Sequence, residues 1–262
     1  MKTSDFFSTQ GLYWWRKYGG GTPRLVISDF DGTLAAIAPT PASARLSPAM
    51  LRLLRQLVAR KDTQVAIISG RGIADLSKKV NLSPVVYVGN HGLTCSRTNL
   101  GFQSSKMPTW FATAGRAYSL LTPLTLKYRG CRLELKGPDV SLHYRQLDPK
   151  RAIALRREAK RLTQTLPLII KAGKQVLEFR PYSPRNKGWA LRQLARRLAS
   201  GWKKTGFCVY LGDDRTDEDA FAAMRRLGPR AVGLKVGGGN TDAHFRLKTL
   251  EEVKTFLARL VS

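Results

Sequence analysis

The most constraining stretch of this chain is Leu25-Val26-Ile27-Ser28-Asp29-Phe30-Asp31-Gly32-Thr33-Leu34, where two carboxylates stand at the end of a short apolar strand. Leu25–Ser28 is partly β-branched and carries no charge, as a strand buried on both faces must. Such a strand belongs to a parallel sheet, and open parallel sheets place ligand crevices at the carboxyl ends of their strands. Gly32 stops the run, so Asp29 and Asp31 fall at that end. Residues two apart on a strand share a side, and paired anions repel unless a cation separates them or one is protonated. That geometry suits a metal-assisted site in which one carboxylate attacks and the other moves a proton. The same letters also spell a strand end with an Asp turn and a Gly stop, so support must come from elsewhere in the chain.

From residue 24 to about 105 the pattern alternates strand and helix. Ser47-Pro48 supplies an N-cap and a first-turn Pro for a helix through Met50, Leu53, Leu54 and Leu57. A second strand is predicted at 64–68, a helix at 73–80, and a third strand at 85–88 ending in Gly89-Asn90-His91-Gly92. Repeated βα units imply a parallel sheet with right-handed crossovers. The middle differs: a helix at 109–121, strands at 129–136 and 140–146 around Gly137-Pro138-Asp139, a basic helix near 149–165, then strands at 168–171 and 175–180 around Ala172-Gly173-Lys174. The α/β pattern resumes with a helix from Asn186 to Leu198, a strand at 206–211 ending in Gly212-Asp213-Asp214, a helix near Thr216, a strand at 231–236 and a closing helix at 250–260. One core domain is thus expected from 24–106 and 183–262, with an α+β cap domain inserted at 107–182. Residues 1–23, set apart by Gly19-Gly20-Gly21, read as a peripheral extension.

Charge is the outlier in composition: 45 Lys+Arg against 18 Asp+Glu, a formal net of +27. Such an excess raises nucleic acid, acidic membrane surfaces or anionic small substrates as partners. The cations are spread along helices, as in Lys150-Arg151, Arg156-Arg157 and Lys160-Arg161, with no recognition-helix or aromatic-basic pattern. Solvated helix faces explain them, and no dedicated nucleic-acid site is expected. No apolar run approaches a membrane span, and the opening residues lack the apolar core of a signal peptide. Three widely spaced cysteines indicate neither a disulfide framework nor zinc, so a cytoplasmic protein, expected as a monomer, is the simplest reading. Seven of the 18 acids fall in two short segments, Asp29/Asp31 and Asp213-Asp214 with Asp217-Glu218-Asp219. A chain this basic that still collects carboxylates at two strand ends is building a cation site.

If the strands before Asp29 and Asp213 are neighbours, three carboxylates converge on one hard cation, for which magnesium with retained waters is the natural occupant. Asp213 is the expected ligand and Asp217 its supporting partner. Thr216, Glu218 and Asp219 read as a helix cap and its dipole-matching acids. Ser69-Gly70-Arg71 follows the second strand on the same edge, where a hydroxyl and backbone N–H groups hold phosphate oxygens, although Ser-Gly is also an ordinary turn. Lys187 sits at a helix start, where a cation opposes the dipole unless an anion lies close by.

Together these segments resemble the phosphatases of the haloacid dehalogenase superfamily. Asp29-Phe30-Asp31-Gly32-Thr33-Leu34 is similar to the first superfamily motif, Ile68-Ser69-Gly70-Arg71 to the second, Lys187 to the third, and the run from Gly212 to Asp219 to the fourth. The last, with Phe221, resembles the trehalose-6-phosphate phosphatase family in particular. So do Gly89-Asn90-His91-Gly92, Leu133-Glu134-Leu135-Lys136 with His143-Tyr144-Arg145, and Leu177-Glu178-Phe179-Arg180-Pro181 leading to Asn186-Lys187-Gly188. The resemblance covers residues 24–260 and implies a Rossmann-like three-layer α/β core of the haloacid dehalogenase type with an inserted α+β cap. It implies Asp29 as nucleophile, Asp31 as proton carrier, and Ser69 and Lys187 as holders of the transferred group. Magnesium would be held by Asp29, the Asp31 backbone carbonyl and Asp213, with Asp214 and Asp217 behind them. Arg71, Asn90, His91, Glu134, Lys136, His143 and Glu178 would contact the substrate, an anionic sugar phosphate; His91 reads equally as a turn histidine. Sucrose phosphate or mannosyl-phosphoglycerate would suit the same core chemistry. A silent domain that senses sugar phosphates or binds nucleic acid is the rival of another class, against which the intact Asp29, Asp31, Lys187 and Asp213 weigh.

Overall fold

The first described element is one that patterning did not reveal. In the computed structural model, which describes residues 3–173, 175–198 and 201–262, residues Thr9–Tyr18 form helix α1. The segment before α1 pairs with a distant strand: Phe6 N donates to Arg246 O at 2.8 Å and Arg246 N to Ser4 O at 2.9 Å. Phe6 has no exposed surface. The rings of Phe7, Trp15, Phe245 and Phe256 meet it edge-on, with centroids 4.9 to 6.4 Å away. The expectation of a peripheral extension is therefore corrected. It failed because the partners of Phe6 and Trp15 lie at the other end of the chain, beyond any local periodicity.

The chain forms two units, residues 1–102 with 185–262, and residues 103–184. The first opens with β1 (Arg24–Ser28), α2 (Pro48–Ala59), β2 (Thr63–Ile68), α3 (Ile73–Val80), β3 (Val86–Gly89) and a short edge strand β4 (Thr94–Cys95). Ser47 caps α2 through Met50 N, as its sequence predicts.

The second unit holds α4 (Met107–Lys127), β5 (Arg132–Lys136), β6 (Asp139–His143), α5 (Pro149–Thr163), β7 (Leu168–Gly173) and β8 (Val176–Pro181). Lys174, in the expected last turn, lies outside the described residues. The four strands form an antiparallel sheet in the order β5-β6-β8-β7. Leu133, Val140, Leu142, Leu177 and Phe179 alternate onto one face and pack with Ala114, Leu121 and Leu155 of the two helices. Helix α4 runs past the expected end at Leu121, through Pro123. Pro removes one backbone donor, while the burial of Leu121 and Leu124 carries the helix onward.

The first unit then resumes with α6 (Lys187–Arg197), β9 (Phe207–Gly212), α7 (Glu218–Arg225), β10 (Ala231–Val236), β11 (Phe245–Leu247) and α8 (Leu250–Val261). Its sheet runs β11-β10-β9-β1-β2-β3-β4. Every pair is parallel except β3 with β4. Alternate side chains enter separate cores: Val26, Val209 and Val232 with α2, α3 and α8, and Leu25, Ile27 and Tyr210 with α6 and α7. This is the expected three-layer core. The central pairing sets Ser28 beside Leu211, so Asp29 and Asp213 emerge from neighbouring strand ends.

Candidate active site

Asp29 follows β1 and is 4 % exposed; its N–H donates to Leu211 O at 2.8 Å, which locks the ends of β1 and β9 together. Gly32 has a φ of +78°, and a Cβ there would overlap the Asp213 carboxylate, so only Gly permits this approach. Thr33 Oγ1 donates to Asp213 Oδ1 at 3.2 Å.

Lys187 begins α6 behind its N-cap Asn186, whose side chain accepts from Trp189 N. The electrostatic conflict at this helix start is resolved by two carboxylates: Lys187 Nζ lies 3.0 Å from Asp29 Oδ1 and 2.8 Å from Asp217 Oδ1. Burial alone would lower the Lys187 pKa, but Asp217, Asp29 and Asp214 outweigh it and raise the value.

Asp217 is the keystone of the cluster. Its Oδ1 accepts from Lys187 Nζ at 2.8 Å and Tyr210 OH at 2.5 Å, while its Oδ2 accepts from the N–H groups of Asp213 and Asp214 at 3.0 Å each. Those donors hold its pKa below the usual carboxylate range despite full burial. Ligand oxygens of Asp29, Asp213 and Asp217 lie within 4.8 Å of one another. Four donors thus occupy the two oxygens of Asp217, more than the structure gives Asp29 or Asp213. Burial and the neighbouring carboxylates push Asp29 well up, and burial, Asp217 and Asp214 push Asp213 up to about 6. Three carboxylates face the single ammonium of Lys187. A divalent cation would offset the excess, and the residues present fit one.

Tyr210 escaped sequence reasoning. Its position inside an apolar strand hides its role, and the only signal was a polar hydroxyl on a core-facing residue. Helix capping also departs from expectation. Asp214, not Thr216, is the cap, accepting from Thr216 N at 2.8 Å and Thr216 Oγ1 at 2.7 Å. Glu218 and Asp219 both lie in the first turn of α7 as expected, and the Glu218 carboxylate also accepts from Thr241 Oγ1 and Asp242 N.

Asp31 is held by Arg71, whose Nε and Nη2 each donate to one Asp31 oxygen at 2.6 Å. Arg71 Nη1 donates to Pro41 O at 2.9 Å and Asp75 Oδ2 at 2.5 Å, and the guanidinium stacks 5.3 Å from the Phe30 ring centroid. Arg71 thus grips the proposed proton carrier. Ser69 is buried, its Oγ accepting from Arg71 N at 3.2 Å. Asn90 N donates to Arg71 O and His91 N to Ser69 O, both at 2.9 Å, so the 89–92 turn braces the 69–71 turn. The His91 ring packs where a Cβ on Gly70 would lie.

Glu134, Lys136, His143 and Glu178 belong to the second unit. Glu134, Ser141 and Glu178 pair across three strands and so share one face of its sheet. Glu134 Oε2 is 3.0 Å from His143 Nε2 and 3.3 Å from Lys136 Nζ. Burial pushes the Glu134 carboxyl up, but His143 and Lys136 prevail and hold its pKa at about 2. Because this lies below the unfolded value of about 4.3, the group stabilises the fold above that pH and the gain fades as pH falls toward 2. Glu134→Gln is expected to cost about 1 kcal/mol at pH 7, after allowing for solvent screening, with the gap to wild type closing by about pH 2. Urea unfolding of both proteins across that range measures it.

A central parallel sheet, an inserted α+β unit and an Asp-x-Asp pair whose first member meets a buried Lys beside a second strand-end Asp define a haloacid dehalogenase-type phosphatase core. Residues 27–249 match the family model described as trehalose-phosphatase. The chain is 33 % identical over 249 residues to "Probable trehalose-phosphate phosphatase 4" of Oryza sativa subsp. japonica, covering 92 % of this chain and 66 % of that protein. It thus spans about two thirds of that curated relative's length. Among solved structures it is similar to the C-terminal domain of a C. albicans trehalose-6-phosphate phosphatase, with a TM-score of 0.75, 25 % identity and coverage of 99 % and 98 % of the two chains. It is also similar to an Aspergillus fumigatus trehalose-6-phosphate phosphatase, with a TM-score of 0.63, 28 % identity and coverage of 99 % and 98 %. The chain belongs to the trehalose-phosphatase family.

Proposed function

We propose that this protein is a magnesium-dependent phosphatase that hydrolyses trehalose 6-phosphate to trehalose and phosphate. The observation that carries the reading is the buried cluster at the carboxyl edge of the sheet. A nucleophilic carboxylate sits within 3.0 Å of a buried ammonium, in a pocket of anions that calls for a divalent cation. Asp29 attacks phosphorus, and the bond to the sugar oxygen breaks as Asp31 delivers a proton to it. The aspartyl-phosphate so formed is cleaved by water, whose proton Asp31 takes, releasing phosphate and restoring Asp29. Asp29, Asp213 and the Asp31 carbonyl would hold magnesium, which would supply charge neutralisation at the phosphoryl oxygens. Lys187 orients Asp29 and, with Ser69, holds the transferred group.

Glu134, Lys136, His143 and Glu178 are proposed as sugar contacts, a reading supported by the family and by the face shared by Glu134 and Glu178. Arg71, Asn90 and His91 are proposed as further substrate contacts; Arg71 also holds Asp31, and Asn90 and His91 brace the 69–71 turn. The enzyme is read as cytoplasmic and monomeric. Its three cysteines are free thiols, and no helix among the described residues is long and apolar enough to cross a membrane.

A phosphate-release screen over trehalose 6-phosphate, sucrose phosphate and mannosyl-phosphoglycerate, with and without a magnesium chelator, tests the reading. Trehalose 6-phosphate is expected to be turned over fastest, and the chelator to abolish release. Another sugar phosphate ranking first would overturn the specificity, and full activity with chelator would overturn the metal.

A further inference from the structure

Lys235 is a buried cation in a strand that otherwise has none. It stands in β10 among Ala231, Val232, Gly233, Leu234 and Val236, all buried, and its side chain is 6 % exposed. An ammonium is taken from water only where other groups receive it. In register Lys235 lies beside Gly212, the residue before Asp213. Its Nζ donates to the Asp214 carbonyl oxygen at 3.3 Å and lies 3.5 Å from Glu218 Oε1. That oxygen is buried and accepts no hydrogen bond among the described residues, so Lys235 offsets its charge. Glu218 Oε2 accepts from Asp242 N at 2.8 Å and from Thr241 Oγ1 at 3.1 Å. Arg225 Nε donates to Asp242 O at 2.6 Å and fastens the same loop to α7.

The turn that presents Asp213 is therefore gripped twice. Asp217 takes its two N–H groups from one direction, and Lys235 takes its carbonyl from another. The three segments that meet here, β10, the 213–217 turn and the 241–243 loop, have no covalent reason to hold a fixed spacing. We propose that Lys235 and Glu218 form a clamp that positions Asp213 for cation binding, a role that rests on Asp213 being a ligand as proposed above. Groups that hold a ligand in place typically change metal affinity by about 10- to 100-fold when removed.

The test compares wild type, Lys235→Met, Lys235→Arg and Glu218→Gln in the full chain. Magnesium affinity is measured by titration calorimetry without substrate, alongside kcat and KM. Lys235→Met is expected to weaken magnesium binding by about 10-fold or more and to lower kcat, with KM for the sugar phosphate within about twofold of wild type. Lys235→Arg is expected to recover part of the loss, and Glu218→Gln to reproduce a smaller one. If Lys235→Met fails to fold, the other two variants carry the same comparison. Wild-type affinity in a folded Lys235→Met protein would overturn the clamp and leave the proposed function standing. A wild-type protein that binds no magnesium would overturn both.

Discussion

Asp29→Asn is expected to lower phosphate release by at least about 10⁴-fold, as loss of a covalent nucleophile does, while leaving the fold intact. The substitution keeps the shape of the side chain and removes its charge. Burial already pushes the Asp29 carboxyl well above its usual pKa, with Asp217 and Asp213 adding to the effect. A carboxyl whose folded pKa is raised weakens the fold as pH climbs past its unfolded value of about 3.9. Metal-free Asp29→Asn should therefore unfold at the same or a higher urea concentration than wild type at neutral pH. Lys187 keeps its partner Asp217 at 2.8 Å, so no buried charge is stranded. The stabilisation that magnesium gives wild type should be lost in the variant. Phosphate release within tenfold of wild type would sink the nucleophile assignment.

Phe6→Ala is expected to destabilise the first unit by about 3–5 kcal/mol, the usual cost of emptying a buried aromatic site. Four edge-to-face rings surround Phe6, each arrangement adding about 0.5–1.5 kcal/mol beyond burial. Against a total stability of about 5–15 kcal/mol, this loss shifts the urea midpoint far. Tyr13→Ala supplies the contrast: Tyr13 is 61 % exposed, and its change should stay within about 0.5 kcal/mol. Urea unfolding followed by tryptophan fluorescence reads both. A Phe6→Ala midpoint matching that of Tyr13→Ala would mean that residues 4–18 do not belong to the core.

Much of the site was legible because its residues sit at boundaries. Asp29 and Asp213 each follow an apolar run, and Ser69 follows a strand, so local patterning placed all three on one sheet edge. Lys187 betrayed itself through a conflict with its own helix. Tyr210, Lys235 and Glu218 were illegible for the opposite reason. Two lie inside strands, where side-chain type is read as packing, and the third was absorbed into a helix cap. The edge strands β4 and β11 were likewise too short to show a period.

What the chain's letters determined alone was the alternation of strands and helices, the break for an inserted unit, and the gathering of acids at two strand ends. These follow from local rules, the two-residue period of strands and the 3.6-residue period of helices. Only the tertiary structure decided what each acid does. A carboxylate's role depends on which donors occupy its oxygens, and those donors arrive from distant segments. Asp217 is saturated by Lys187, Tyr210 and two backbone N–H groups, while Asp29 meets Lys187 and Asp213 meets Thr33, which is why the cation site is proposed on those two.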